Sequence, residues 1–141
     1  MAALASAQVV DALAARLAPL SATSGRVYTS RAWPLDVLPA WRVTAEDEQT
    51  EAVSVPDTTH QHDLSVNATA YVRAVSDLDD SMHNLARDGL ALLFAPPAPY
   101  GLQLAGISRQ MQTDGEAAVG TITLRLRAQF FTDPAVPDTF V

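Results

Sequence analysis

Strict alternation of apolar and polar side chains is the clearest pattern in the chain. In residues 64–73 the even positions are apolar and the odd positions are polar or aromatic, which is the period of a β-strand with one buried face. Residues 121–130 show the same alternation, and a third run begins at Trp41. The sequence therefore predicts three strands that turn one face toward a core and the other toward solvent.

Two segments have helical periodicity instead. Residues 3–18 are rich in Ala and Leu, with apolar side chains at helical spacing, and Pro19 ends the segment. A second apolar stripe runs from Leu78 to about Phe94, with Ser76 in the position of a capping residue and several prolines after the stripe. The sequence predicts one helix at each of these places.

Weaker signals predict two further strands. Residues 26–31 contain the β-branched and aromatic residues of a short strand. Residues 101–112 begin as a strand whose apolar phase shifts at Ala105–Gly106, as it does at a β-bulge, and Asp114–Gly115 predicts a turn after it. We therefore expect the last two strands to form an antiparallel hairpin.

The order of these elements predicts a single α+β domain over residues 1–141. We expect an antiparallel or mixed sheet of about five strands with the two main helices packed on one face. Residues 47–60 are expected to form a mobile loop or a long hairpin tip, and residues 132–141 a tail that is loose or docks on a neighbour. The uncovered face and edges of such a sheet need cover, which oligomerisation would supply.

The charge of the chain argues against tight binding of nucleic acid. Nine cationic and sixteen acidic side chains give a formal net charge of −7, and all nine cations are Arg. A surface with this balance repels phosphate, although DNA can slide without sticking through a channel that has acidic walls.

Two further classes lack support in the sequence. The chain has no Cys, which removes disulfides, thiolate nucleophiles and thiolate metal ligands. The longest strongly apolar run, Leu90–Ala98, is about half of what a membrane-spanning helix needs, and the Ala-rich start lacks the basic segment of a secretory signal. We expect a soluble protein without a membrane partner.

One cluster has the residue types of a metal site. His60, His62 and Asp63 follow one another closely, and alternate strand residues point the same way, so the two imidazoles share a face. A further ligand at suitable spacing is missing. A polar entry to a strand is the preferred interpretation, and a small metal-binding or ligand-binding domain that uses these residues is kept as an alternative.

The remaining charged residues of interest form two groups. The acids at the start of the expected loop are Glu46, Asp47, Glu48 and Glu51. The cations expected on the polar sheet face are Arg73, Arg125 and Arg127. The spacing of the acids does not match a calcium loop, so we interpret them as solvated or partner-facing. The cations either pair with acids of their own subunit or meet the acidic segment of a neighbouring one.

The chain offers no recognisable catalytic constellation. It has no G-x-S-x-G turn and no phosphate-binding Gly-rich loop, and His83 stands alone on the second predicted helix, as an exposed or capping residue would. We therefore expect a protein that is not an enzyme and uses no cofactor.

Several segments together resemble a known family. They are the R-V-Y-T-S-R strand followed by two prolines, the acidic segment 46–51, the alternating strand before the second helix, and the closing L-R-L-R-A-Q-F strand. In these features and in element order the chain resembles the tail terminator (minor tail, tail completion) proteins of long-tailed bacteriophages.

The resemblance implies a structural virion protein. Family members assemble as six-fold rings on the tail tube, end its growth, and offer a docking surface to the filled head. It implies a homo-hexamer with the tail tube protein and a head-completion or connector protein as partners, and with DNA passing through the lumen without specific binding. The protein would be located at the head-proximal end of the virion tail, after assembly in the host cytoplasm. The long hairpin that faces the tube in the family corresponds here to residues 47–60.

Two other interpretations remain open from the sequence. A head-tail connector or neck protein uses the same ring but docks on the head side. A component of a bacterial secretion or contractile device would be built from the same kind of tube.

Overall fold

The computed structural model describes residues 4–20, 23, 25–29, 38–53, 59–74, 77–114 and 117–141. In chain order the elements are helix α1 (Ala5–Leu17), strands β1 (Val27–Tyr28), β2 (Ala40–Ala52) and β3 (His60–Ala74), helix α2 (Leu78–Leu93), a 3₁₀ turn (Pro99–Gly101), and strands β4 (Gln103–Asp114), β5 (Ala117–Asp133) and β6 (Val136–Phe140). The two predicted helices and five predicted strands are present, with ends shifted by a few residues.

The strands form one mixed sheet in the order β1-β2-β3-β5-β4, with β6 paired to β5. β1 runs parallel to β2, and the other pairings among the described strands are antiparallel. The sheet is curled into a half-barrel and is accompanied by the two helices. The expected antiparallel sheet is therefore confirmed in part, since its short first strand is parallel.

One continuous core joins both helices to the inward-facing positions of β2, β3 and β5. Trp41 of β2 is fully buried in it. A Cβ atom on Gly89 of α2 would lie 2.6 Å from the Trp41 ring and 3.5 Å from Leu17 of α1. Because Gly89 has no side chain, the two helices and β2 can approach one another closely at this point.

Arg16 of α1 ties the two helices together at the end of α2. Its Nη1 donates to the carbonyl oxygens of Ala95 at 2.9 Å and, more weakly, of Leu92 at 3.4 Å, and its Nη2 donates to that of Pro97 at 2.9 Å. The last carbonyls of a helix have no partner within it, and a cation placed there also complements the helix dipole. A side chain of one helix thus caps the other.

Asp77, the N-cap residue just before helix α2, adopts left-handed backbone angles with φ of 59°. The Asp77 carbonyl accepts from the Ser81 amide at 2.9 Å. Asp79 and Asp80 lie in the first turn, where the positive end of the helix dipole favours carboxylates. Ser76, the predicted capping residue, lies outside the described residues.

Each of two strands contains a bulge. In β4 the pairing with β5 shifts between Leu104 and Gly106, which confirms the bulge predicted from the apolar phase. In β2 the pairing with β3 shifts between Ala45 and Glu48, so that an additional residue is accommodated there. This second bulge was not predicted.

Part of segment 47–60 forms a hairpin, and the rest lies outside the residues that the structure describes. β2 continues to Ala52 and β3 begins at His60, and the Val53 amide donates to the Thr59 carbonyl at 3.0 Å. The hairpin form of the prediction is therefore the one observed for its described residues.

The expected tail at 132–141 is corrected by the structure. Its first two residues complete β5, and β6 pairs with β5 of the same chain. The ring of Phe140 packs edge-on against Phe130 at 5.6 Å and near Tyr100 at 5.5 Å between centroids. Gln8 of α1 also donates to the Asp138 carbonyl at 2.7 Å. The partly buried aromatic ring, the pairing with β5 and this hydrogen bond hold the segment on its own subunit.

Within the described residues, neither helix has the length and apolar character needed to cross a bilayer.

Candidate interaction surface

The polar face of the sheet carries most of the residues singled out in the sequence. Because strand side chains alternate, the odd positions of β3 and β5 all point away from the core. Their pairing sets Asn67 opposite Arg125 and Thr69 opposite Thr123. We call this surface, with the outward residues of β2 and β4 beside it, the polar face.

Hydrogen bonds link neighbouring strands across the polar face. The hydroxyls of Thr69 and Thr123 are 3.1 Å apart. A carboxylate oxygen of Glu46 accepts from Asn67 Nδ2 at 3.3 Å and from Thr44 Oγ1 at 3.4 Å. This network is side chain to side chain and half open to solvent, so it contributes modestly to stability.

A shallow groove follows the polar face along its length. It consists of four cavities that share lining residues, with volumes of about 310, 460, 290 and 280 Å³. The lining is mostly Thr, Ser, Asn, Gln and charged side chains. Small-molecule sites are typically concave and mainly apolar, so this groove fits a macromolecular contact better than a small ligand.

The bulge in β2 places the four acids of the expected loop on different parts of the surface. Glu46 and Asp47 are adjacent in sequence, yet both line cavities of the polar face. Glu48 instead approaches His62, with 3.7 Å between Oε2 and Nδ1. Glu51 is exposed near the end of β2. The predicted acidic cluster is therefore split, because the bulge changes which residues share a face.

Arg125 and Arg127 are brought together with two of these acids. Both line the largest of the four cavities together with Glu46 and Asp47. Both are exposed, and among the described residues neither forms an ion pair. The two cations therefore lie on an open surface that carries both signs of charge. Most N–H donors of their guanidinium groups remain available for a partner.

Arg125 is held against the neighbouring edge strand. A Cβ atom on Gly106 would lie 2.7 Å from Nη2 and 3.1 Å from Nε of Arg125. The guanidinium therefore lies over the bulge of β4, where the absence of a side chain leaves room for it.

Arg73 does not join the other two cations, which corrects the sequence interpretation. β3 and β5 are antiparallel, so the end of β3 that holds Arg73 pairs with Val119 near the start of β5. Arg73 lines a separate cavity of about 340 Å³ beside α2, with Asn84 and Asp88.

The H-x-H-D cluster is divided between the two faces of the sheet. His62 lies on the core side, where its ring stacks on Phe130 at 4.7 Å and its Nε2 is 2.6 Å from Thr132 Oγ1. Asp63 lines a cavity of the polar face. Among the described residues no group of three or more His, Asp or Glu side chains is arranged to hold a metal ion.

Two histidines have partners that the sequence could not reveal. The hydroxyl beside His62 belongs to Thr132, which is 2% exposed, so solvent and substrates do not reach it. His83 is exposed on α2, as expected, and its Nε2 accepts from Arg109 Nε of β4 at 3.1 Å. Both contacts join elements that are distant in sequence, and only the folded topology brings them together.

Among the described residues, each edge of the sheet has a stretch without a partner strand. β1 pairs only with Trp41 and Arg42 of β2, and β4 pairs with β5 on one side. Within the described residues no strand pairs with the outer side of β2 from Glu48 onward or with the outer side of β4. Open edges present unpaired backbone donors and acceptors, which makes them ready to accept another strand.

The sequence matches no protein-family model, and it matches no curated protein significantly.

Proposed function

We propose that this chain is a structural subunit of a phage tail, which joins other copies in a ring, six-fold in the tail-terminator arrangement. The ring would cap the tail tube, end its polymerisation and provide the surface on which the head docks. The observation that carries this proposal is a single sheet in which, among the described residues, each of the two edges has a stretch without a partner strand.

Two different open edges on one subunit favour a closed ring. A contact between unlike surfaces is heterologous, and it continues from copy to copy until the rotation closes. The curl of the sheet supplies rotation between successive copies. A ring of this kind satisfies the backbone groups of every edge.

The polar face supports passage of DNA without retention. Its two free-standing guanidinium groups lie among carboxylates of Glu46, Asp47 and Asp63, which reduce the attraction for phosphate. With the net charge of −7, a lumen lined by this face would repel DNA on balance.

The chemistry of the described residues also favours a structural role over catalysis. The close hydroxyl–imidazole pair, Thr132 with His62, is partly buried, and its hydroxyl belongs to a residue that is 2% exposed. Asp63 lies on the other face from His62. The metal-dependent alternative would therefore need a different set of ligands.

The direct test is the mass and image of the purified protein, by light scattering and negative-stain electron microscopy. We expect rings of about six copies with an open centre, and co-sedimentation with purified tail tubes, with the protein at one tube end. Attachment to the head vertex and not to the tube would favour the connector interpretation. A monomer that neither forms rings nor sediments with tubes would contradict the proposal.

Charge repulsion predicts how assembly depends on salt. Six copies carry a formal charge of 6 × −7 = −42, which ring closure must overcome and which salt or magnesium screens. We expect the ring fraction to rise between low salt and millimolar magnesium. An unchanged oligomer mass would contradict this part of the proposal.

A further inference from the structure

The proposed ring leaves open which surfaces meet between neighbouring copies. We infer that β4 of one copy pairs antiparallel with β2 of the next, so that one sheet continues around the assembly. This inference rests on the proposed function and specifies its partner surface as a second copy of this chain.

Strand direction permits this pairing without distortion. β3 is antiparallel to β2, β5 is antiparallel to β3, and β4 is antiparallel to β5. Across these four strands the direction alternates, so β4 runs opposite to β2. A second copy placed beside the first in the same orientation therefore presents its β2 antiparallel to β4, which is the more stable ladder.

The regular segments on the two edges are both long enough to pair. The bulge in β2 leaves an uninterrupted outer segment from Glu48 to Ala52, and the bulge in β4 leaves one from Ile107 onward. Both are within the usual length of a paired strand. Pairing would also cover Met111, which is 60% exposed on β4.

Charge distinguishes this arrangement from the alternatives. Residues 43–52 of β2 contain four acids and no cation, whereas β4 contains one cation, Arg109, and one acid, Asp114, at its last position. Arg125 adds a second cation to the β4 side, because its guanidinium lies over the Gly106 bulge. A β2–β2 contact would set four acids against four, and a β4–β4 contact would set like cations together, whereas β4 with β2 is complementary.

Cysteine cross-linking tests the inference cleanly because the chain contains no Cys. Gln49→Cys on β2 and Gln110→Cys on β4 place thiols on the polar face, where both native side chains line cavities. Differently tagged single variants are mixed and treated with a short, flexible bis-maleimide. We expect the mixed dimer to exceed either same-variant dimer by about ten-fold, because only unlike edges meet.

A matched variant controls for random collision. Ala91→Cys places a thiol on an exposed position of α2, and its mixture with Gln110→Cys is expected to give only the collisional yield. Same-variant dimers equal to the mixed product, or no product above this control, would overturn the inference. If rings are seen by electron microscopy while the mixed product is missing, edge pairing fails and the proposed ring stands; loss of both rejects both.

Reversing the charge of a single side chain provides an independent test of the inferred strand pairing. Arg109→Glu should weaken self-association by about five-fold at low salt, since the reversed side chain would face the acids of the neighbouring β2. Arg87→Glu makes the same change of charge on the exposed side of α2 and should alter association by less than about two-fold. Equal effects of the two variants would show that net charge alone is responsible and would overturn the specific pairing.

Discussion

The two faces of the sheet have different roles. The apolar face is filled by side chains from both helices, and its close contacts at Gly89 and Gly120 leave no room even for a methyl group. The polar face carries hydroxyls, amides and charged groups along an open groove. The comparison teaches that stability is concentrated on one face, whereas the other face and the edges are available for association.

The largest expected effect separates the two faces directly. Trp41→Ala should lower the free energy of unfolding by about 3–5 kcal/mol, since it leaves a large cavity between β2 and the helices. Tyr71→Ala on the polar face is the matched control and should cost about 1 kcal/mol or less. Urea unfolding followed by circular dichroism measures both, and similar losses would contradict the division of roles.

An intermediate effect is expected at the contact between the helices. Arg16→Gln removes the charged donor from the carbonyls of Ala95 and Pro97, and should lower the free energy of unfolding by about 1–2 kcal/mol. Arg87→Gln is the control, because that side chain is 72% exposed and contacts only Asp88 among the interactions described for it; its expected change is within about 0.5 kcal/mol. Equal changes would mean that Arg16 acts only through its charge.

The smallest effect on stability is expected on the polar face. Arg127→Ala should change the free energy of unfolding by less than about 0.5 kcal/mol, because an exposed cation that forms no ion pair among the described residues contributes little. The same urea experiment at matched salt detects the change. A loss comparable with that of Arg16→Gln would show that the polar face also supports the fold.

The two bulges show what sequence patterns can reveal. At Ala105–Gly106 the apolar residues on either side change phase, so the bulge was predicted. Residues 46–48 are three consecutive acids, so no apolar side chain indicates which face of the strand each residue occupies. The shift in pairing therefore cannot be recognised from the sequence. Alternation therefore locates a strand but reports an irregularity only where apolar residues flank it.

The candidate surface, like the two bulges, was predicted only in part from the sequence. Strand pairing brings two acids close to two cations, and the alternation of apolar and polar residues predicted these strands. The acids are Glu46 and Asp47, and the cations are Arg125 and Arg127. Arg73 was misplaced because the register of β3 against β5 is fixed by tertiary packing. β6 was missed because it is short, contains Pro137 and has one partly buried aromatic ring in place of an alternating apolar pattern.

The contact between β6 and α1 has a consequence for the order of folding. Gln8 and the Asp138 carbonyl that it binds are separated by 130 positions, so this contact closes a loop of nearly the entire chain. Contacts of such long range slow folding, since the loop entropy is lost before the contact forms. During synthesis, α1 must wait for residue 138 to leave the ribosome before this contact can form, so the finished subunit is available for assembly only after translation has passed that point.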